Sequence, residues 1–193
     1  QTGRDLTVQK VALRPPQVEP LKRLHAGALG LSARVVSATE LIGRLSGGVS
    51  LPLALPVLIS IAPPASGPLS FSGVASLDLH THLLSFVPST PLRLFKAHGG
   101  GKFVDVTETM GMGSYRVRGS TGDFSEFLIL ADLRGVDTVI RGKYDRLQAL
   151  LDEFAPQLPG ALVSELQSSL SASRSAFNSS QLGAALAELD ELV

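Results

Sequence analysis

The sequence contains no cysteine and no tryptophan. Without thiols there is no disulfide and no thiolate metal site, so an oxidising compartment is permitted but not required. Only two tyrosines are present. Glycan-binding sandwiches usually offer flat aromatic platforms, so this shortage demotes carbohydrate binding. No apolar run is long enough to span a bilayer, which takes about 20 residues. The longest, Val49 to Ala62, is broken by Pro52 and Pro56. Neither sign of charge is in excess: 17 basic and 17 acidic side chains leave a formal charge of zero. That removes the basic bias expected of a protein that neutralises nucleic-acid phosphates. Nucleophile and nucleotide motifs are also missing. No Gly-x-Ser-x-Gly occurs, Gly99-Gly-Gly101 has no following Lys-Ser/Thr, and Arg116 stands where Gly111-Met-Gly113 would need its third glycine.

What is present is the composition of a globular protein: 193 residues, 44% apolar and 18% charged, with 19 glycines and 12 prolines. That length suits one full domain and a small appendage. Residues 1–134 hold 13 Lys/Arg and 9 Asp/Glu, a net of +4, whereas residues 135–193 hold 4 and 8, a net of −4. Two solvated surfaces explain this split, because salt screens exposed charge. The chain opens on Gln1 without an initiator Met. That is the form left by removal of a signal peptide, and it sets an expectation of export to the periplasm or beyond. Arg outnumbers Lys 12 to 5, in keeping with a GC-rich bacterial genome.

Apolar periodicity divides the chain in two. Leu6, Val8 and Val11 to Leu13 predict an opening strand, residues 17–28 are ambiguous, and Leu29 to Val36 predict a second strand. Ser37 followed three residues later by Glu40 predicts one or two helical turns up to Leu45, stopped by Gly47-Gly48. From there the period is two. Pro56 to Ile61 predicts a buried strand. Leu69 to Leu84 alternates, with Leu77, Leu79, Thr81 and Leu83 on one face and Asp78, His80 and His82 on the other. Leu92 to Lys96, Phe103 to Thr107, Ser114 to Gly119 and Phe124 to Asp132 come next, with turn residues between them. Short strands at regular spacing predict an antiparallel sandwich.

After Arg134 the period becomes helical. Tyr144, Leu147, Leu150, Leu151 and Phe154 share a face and Pro156 ends the helix. Pro159 opens a second helix with the stripe Leu162, Leu166, Leu170 and Phe177. Leu182, Ala185, Leu186 and Leu189 mark a third. The expected architecture is mainly β: an Ig-like antiparallel β-sandwich over 1–134 and a small C-terminal helical hairpin of three short helices over 135–193.

Four segments, Leu92-Arg-Leu-Phe-Lys-Ala, Lys102-Phe-Val-Asp-Val-Thr, Gly113-Ser-Tyr-Arg-Val-Arg-Gly and Gly122-Asp-Phe-Ser-Glu-Phe, resemble the closing strands of Ig-like or ZU5-like sandwich modules in exported bacterial proteins. The C-terminal helices resemble hairpins that follow such modules. The resemblance implies an uncharacterised family, a sandwich fold and an export route, with no activity attached. Some ZU5-like members cut themselves at His-Phe-Ser, the Ser hydroxyl attacking the preceding peptide bond with help from the His. The matching residues here are Asp123, Phe124 and Ser125, so the imidazole of that tripeptide is replaced by a carboxylate.

The other candidate is Asp78-Leu-His80-Thr-His82. On a strand, residues two apart point the same way, so both imidazoles can face one metal ion with Asp78 nearby. A similar string marks metal-dependent barrel hydrolases, but those need strands alternating with helices over about 250 residues. A solvated polar strand face is the stronger reading, and no catalytic, cofactor or metal residue is assigned. Arg93, Arg116 and Arg118 are expected in adjoining strands as a basic strip. The functional expectation is a non-enzymatic structural or interaction module contacting a protein or another envelope component. The alternatives are metal binding at His80/His82, self-processing at Phe124–Ser125, and binding of a glycan or envelope polymer.

Overall fold

The computed structural model describes residues 6–14 by their backbone, and residues 30–63, 74–111 and 113–190 in full. The ambiguous segment 17–28 and the first part of the Leu69–Leu84 alternation lie outside the described residues. The chain divides into two compact units, Gln1–Leu133 and Arg134–Val193.

The first unit is a β-sandwich of two antiparallel sheets. Its strands are β1 (Leu6–Arg14), β2 (Gly30–Val35), β3 (Val49–Ser50), β4 (Val57–Ala62), β5 (Val74–Ser85), β6 (Leu92–Ala97), β7 (Val104–Asp105), β8 (Thr107–Gly111), β9 (Ser114–Thr121) and β10 (Ser125–Asp132). One sheet has the order β1-β5-β9-β8 and the other β2-β4-β10-β6-β7, with β3 beside the far end of β10. Alternation drives the two inner faces together. Leu77, Leu79, Tyr115 and Val117 from the first sheet meet Ile59, Ile61, Leu94, Phe127 and Ile129 from the second in one core.

The second sheet is buried on its outer face as well. Leu58, Phe95, Ala97, Leu128 and Leu130 pack under Val36, Leu41, Val49 and Phe103. This explains why β10 reads Phe-Leu-Ile-Leu without alternation: it has no solvated side. Most of the cover comes from the segment between β2 and β3, and Phe103 from the loop that precedes β7. The expected helix there is a single 3₁₀ turn, Thr39–Leu41. Its entry carries the reciprocal pair foreseen from sequence: the Ser37 N–H donates to Glu40 Oε1 at 2.8 Å, and the Glu40 N–H donates to Ser37 Oγ at 3.3 Å. Arg44 pins the cover to the sheet. It donates to the Gly101 carbonyl at 3.0 Å, pairs with Glu126 at 2.5 Å and lies 4.6 Å from the Phe103 ring centre. Nothing in the sequence pattern singled out Arg44, because its partners are 57 and 82 residues away.

Two sequence expectations are corrected. The alternation of β5 breaks after Thr81: its pairing with β9 jumps from Thr81 opposite Tyr115 to Ser85 opposite Ser114. Leu83 is therefore exposed and Leu84 enters the core, because a bulge inverts the facing of the residues beyond it. The strand expected over Phe103–Thr107 is two strands, since the chain changes sheet at Val106. β7 pairs with β6 in one sheet and β8 with β9 in the other. At this corner Thr107 Oγ1 accepts from the Leu94 N–H at 2.7 Å, and the Thr107 N–H donates to Asp105 Oδ1 at 2.9 Å.

Among the described residues the second unit has three helices: α1 (Val136–Phe154), α2 (Gly160–Asn178) and α3 (Leu182–Asp190). Pro156 sits in the 3₁₀ turn Ala155–Gln157 that closes α1, and Pro159 caps α2 one residue before its start. Arg141 bonds Asn178 and Asp145 bonds Arg174, so α1 and α2 run antiparallel. Tyr144, Leu170, Phe177 and Ala185 form the core. Through it runs a buried chain of hydrogen bonds. Ser173 Oγ donates to the Ala185 carbonyl at 2.7 Å, and that carbonyl can only accept. The single Ser173 proton is thereby committed, so the Tyr144 hydroxyl donates to Ser173 Oγ, also at 2.7 Å. One serine thus ties all three helices. No helix among the described residues is long and apolar enough to cross a membrane.

Candidate functional site

Two polar clusters contain the residues that the sequence singled out. The first lies on the outer face of the β1-β5-β9-β8 sheet. Pairing of β5 with β9 sets Asp78 opposite Arg118 and His80 opposite Arg116. His80 and His82 come together as expected from their spacing, with ring centres 4.7 Å apart in an edge-to-face arrangement. Asp78 does not join them. Its carboxylate pairs with Arg118 at 3.1 Å. His80 is buried and its Nε2 lies 2.5 Å from Ser114 Oγ.

Burial, then the charges of Arg116 and His82, push the His80 pKa below its ordinary value, and Asp78 only partly opposes them. A cationic neighbourhood repels a metal ion as it repels a proton. Among the described residues no group of three or more His, Asp or Glu side chains is disposed to hold a metal. Arg93 is not part of this face. It sits on β6 in the other sheet and donates to the carbonyls of Thr90 and Leu92 at 2.7 and 2.8 Å. The expected strip of three arginines is therefore reduced to Arg116 and Arg118, because β6 pairs with β10 and β7 rather than with β9.

The second cluster surrounds the start of β10. The Asp123 carboxylate accepts from Lys96 Nζ at 2.7 Å, from Thr121 Oγ1 at 3.1 Å, and from the Ser125 hydroxyl. Burial raises its pKa, but the hydrogen bonds from Lys96, Ser125 and Thr121 and the Lys96 charge outweigh that, holding the carboxyl below its usual value. His98, just beyond β6, brings Nδ1 to 3.1 Å from the Phe124 carbonyl oxygen and 3.5 Å from Asp123 Oδ2. A carbonyl only accepts, so Nδ1 carries the proton in this contact. The imidazole that the Asp-Phe-Ser tripeptide lacks is thus supplied from 26 residues away. Sequence reading missed it, since only the pairing of β6 with β10 brings them together. The backbone here is ordinary: Ser125 pairs with Ile61 in regular register, and Ser180 is the one non-glycine residue with positive φ among those described.

Neither cluster offers an aromatic platform from tyrosine, as Tyr115 and Tyr144 are both buried. The Tyr115 hydroxyl has no hydrogen-bond partner among the described residues, and burial holds that phenol far above its usual range.

No curated protein and no solved structure matches the chain significantly. A family model does match, over residues 17–193, and its description is a family of unknown function, DUF6689. Spanning nearly the whole sequence, that match makes the chain a member of the DUF6689 family.

Proposed function

We propose that this protein is a non-enzymatic, exported interaction module: an Ig-like sandwich that carries a helical contact surface at the bacterial envelope or outside the cell. The observation that supports this reading is an exposed line of apolar side chains on the helical unit. Several charged groups of the sandwich pair with one another, as in Asp78–Arg118, Asp123–Lys96 and Arg44–Glu126. The helical unit leaves Leu147, Leu150, Phe154, Leu162, Leu182 and Leu186 exposed, and Leu147, Leu150 and Phe154 recur at steps of three and four along one helix. Apolar stripes left in water mark contact surfaces. The export route rests on the likeness of the strand motifs to exported modules, and cell fractionation tests it.

The test of the contact surface is site-specific photocrosslinking. The full chain carries a benzophenone amino acid in place of Leu150 or, as a control, of the exposed polar Gln167. Irradiation in the expressing cells is expected to give a discrete adduct from position 150 and none from 167. Absence of adducts from 150, 154 and 162 alike overturns the reading.

A second reading, self-processing, is favoured by His98 on the Phe124 carbonyl and Ser125 on Asp123. Ser125 Oγ would add to the Phe124 carbonyl carbon, passing its proton to Asp123 while His98 stabilises the oxyanion. The C–N bond would break as the amine takes up the proton, and water would hydrolyse the resulting ester. This reading ranks second because a carboxylate held below its usual pKa is a weak base, and the strand at Ser125 is regular. The intact mass of the denatured protein decides it: one chain of 20.2 kDa excludes cleavage, and two fragments meeting at Ser125 establish it.

A further inference from the structure

The first helix of the C-terminal unit has two apolar seams, and the hairpin fills only one. At 100° per residue, Tyr144 and Leu151 point into the hairpin core with Ile140 beside them. About a fifth of a turn round the helix lies a second line: Val136, Ile140, Lys143, Leu147, Leu150 and Phe154. Its steps alternate between four and three, the spacing of a coiled-coil seam. Its apolar members Val136, Leu147, Leu150 and Phe154 are 70, 42, 38 and 45% exposed. Ile140 is half-buried between the two seams.

Of the charges on α1, Lys143 lies in this seam and Arg146 and Glu153 lie beside it, while Asp137, Arg141, Asp145 and Asp152 project from other faces of the helix. On the seam's outer flank stand Arg146 and Glu153, seven residues apart and both exposed. They are two turns apart, roughly 10 Å, and so do not reach each other within one helix. Two copies of α1 laid antiparallel about Leu150 place Leu150 on Leu150, Leu147 on Phe154, and each Arg146 on the other copy's Glu153. The seam is therefore complementary to itself when reversed, which is the requirement of an isologous twofold interface. A parallel arrangement would stack Arg146 on Arg146 and Glu153 on Glu153.

We propose that the exposed seam of α1 is a homodimer interface in which a second copy of this chain packs antiparallel, centred on Leu150 and flanked by two Arg146–Glu153 ion pairs. The proposal rests on the reading of the protein as an interaction module and names its partner. Three apolar layers per copy make a small interface, and interfaces below about 1,200 Å² are weak and reversible. Self-association is accordingly concentration-dependent.

Sedimentation equilibrium of the full chain tests this. The expected result is a shift from 20.2 kDa at a few micromolar towards twice that mass at several hundred micromolar. Leu150→Lys, at the dyad, abolishes the shift while the far-ultraviolet circular dichroism stays unchanged. Arg146→Glu and Glu153→Arg each weaken association about tenfold at low salt, since two exposed pairs turn repulsive, and the double reversal restores it. That rescue distinguishes an intermolecular pair from a structural role in the helix. A chain that stays at its monomer mass at every concentration overturns the proposal, as does a dimer indifferent to Leu150→Lys and to both reversals. A monomer that still gives the position-150 photoadduct with a different protein sinks the homodimer and spares the module reading; a monomer giving no adduct sinks both.

Discussion

Gly119→Ala is the sharpest perturbation available in the sandwich. Gly119 lies on β9 beneath the corner where the chain leaves one sheet for the other at Val106. A Cβ built there would stand 2.3 Å from the Val106 carbonyl oxygen and 3.0 Å from Leu94 Cδ2. The first distance is about 1 Å too short, and the obstacle is backbone rather than a side chain that could swing away. Relief requires moving β9 off the corner. The corner is held by the Val106 N–H bond to the Leu94 carbonyl at 2.9 Å and by the Thr107 bonds to Leu94 and Asp105. Overpacking of this kind costs about 3 kcal/mol or somewhat more. For a unit of this size that lowers Tm by roughly 10–15 °C. The assay is differential scanning calorimetry of the full chain, with Gly47→Ala as the control. A Cβ at Gly47 would meet nothing within 4 Å, and its φ is not positive, so this change stays within about 1 kcal/mol. A Gly119→Ala protein melting within about 3 °C of wild type would refute the close approach at the corner.

Two further outcomes rest on buried polar groups. In the helical unit, Ser173→Ala strands the Tyr144 hydroxyl in the core and costs about 1–3 kcal/mol, whereas Tyr144→Phe costs about 1 kcal/mol. The double variant is less destabilised than the sum, which urea titrations followed at 222 nm will show; strict additivity contradicts the hydrogen-bonded chain. In the sandwich, His80 has a folded pKa below its unfolded value near 6.5. The unfolded state then binds the extra proton first, so stability rises with pH through this window and falls on acidification below it. His80→Gln should flatten that slope as the pH falls below about 7. An unchanged slope would show that His80 is not the group responsible.

The sequence by itself determined most of the strands and the C-terminal helices, because each of these arises from the period of its own apolar residues. The two-residue period put Leu77, Leu79, Tyr115 and Val117 inside and Arg116 and Arg118 outside. The helical period after Arg134, punctuated by Pro156 and Pro159, marked the change to the three-helix unit, and the spacing of His80 and His82 brought their rings together as read. Only the tertiary structure decided what depends on partners distant in the chain. The bulge after Thr81 exchanged Leu83 for Leu84, and the corner at Val106 split one expected strand between two sheets. Asp78 went to Arg118 instead of to the imidazoles, and Arg93 fell in the opposite sheet. His98 and Lys96 reached Asp123 and Phe124 because β6 lies beside β10. Periodicity within a segment reports which face is buried, but it carries no information about which strand lies alongside. That choice is made by packing the whole core, and it assembles both polar clusters of the sandwich.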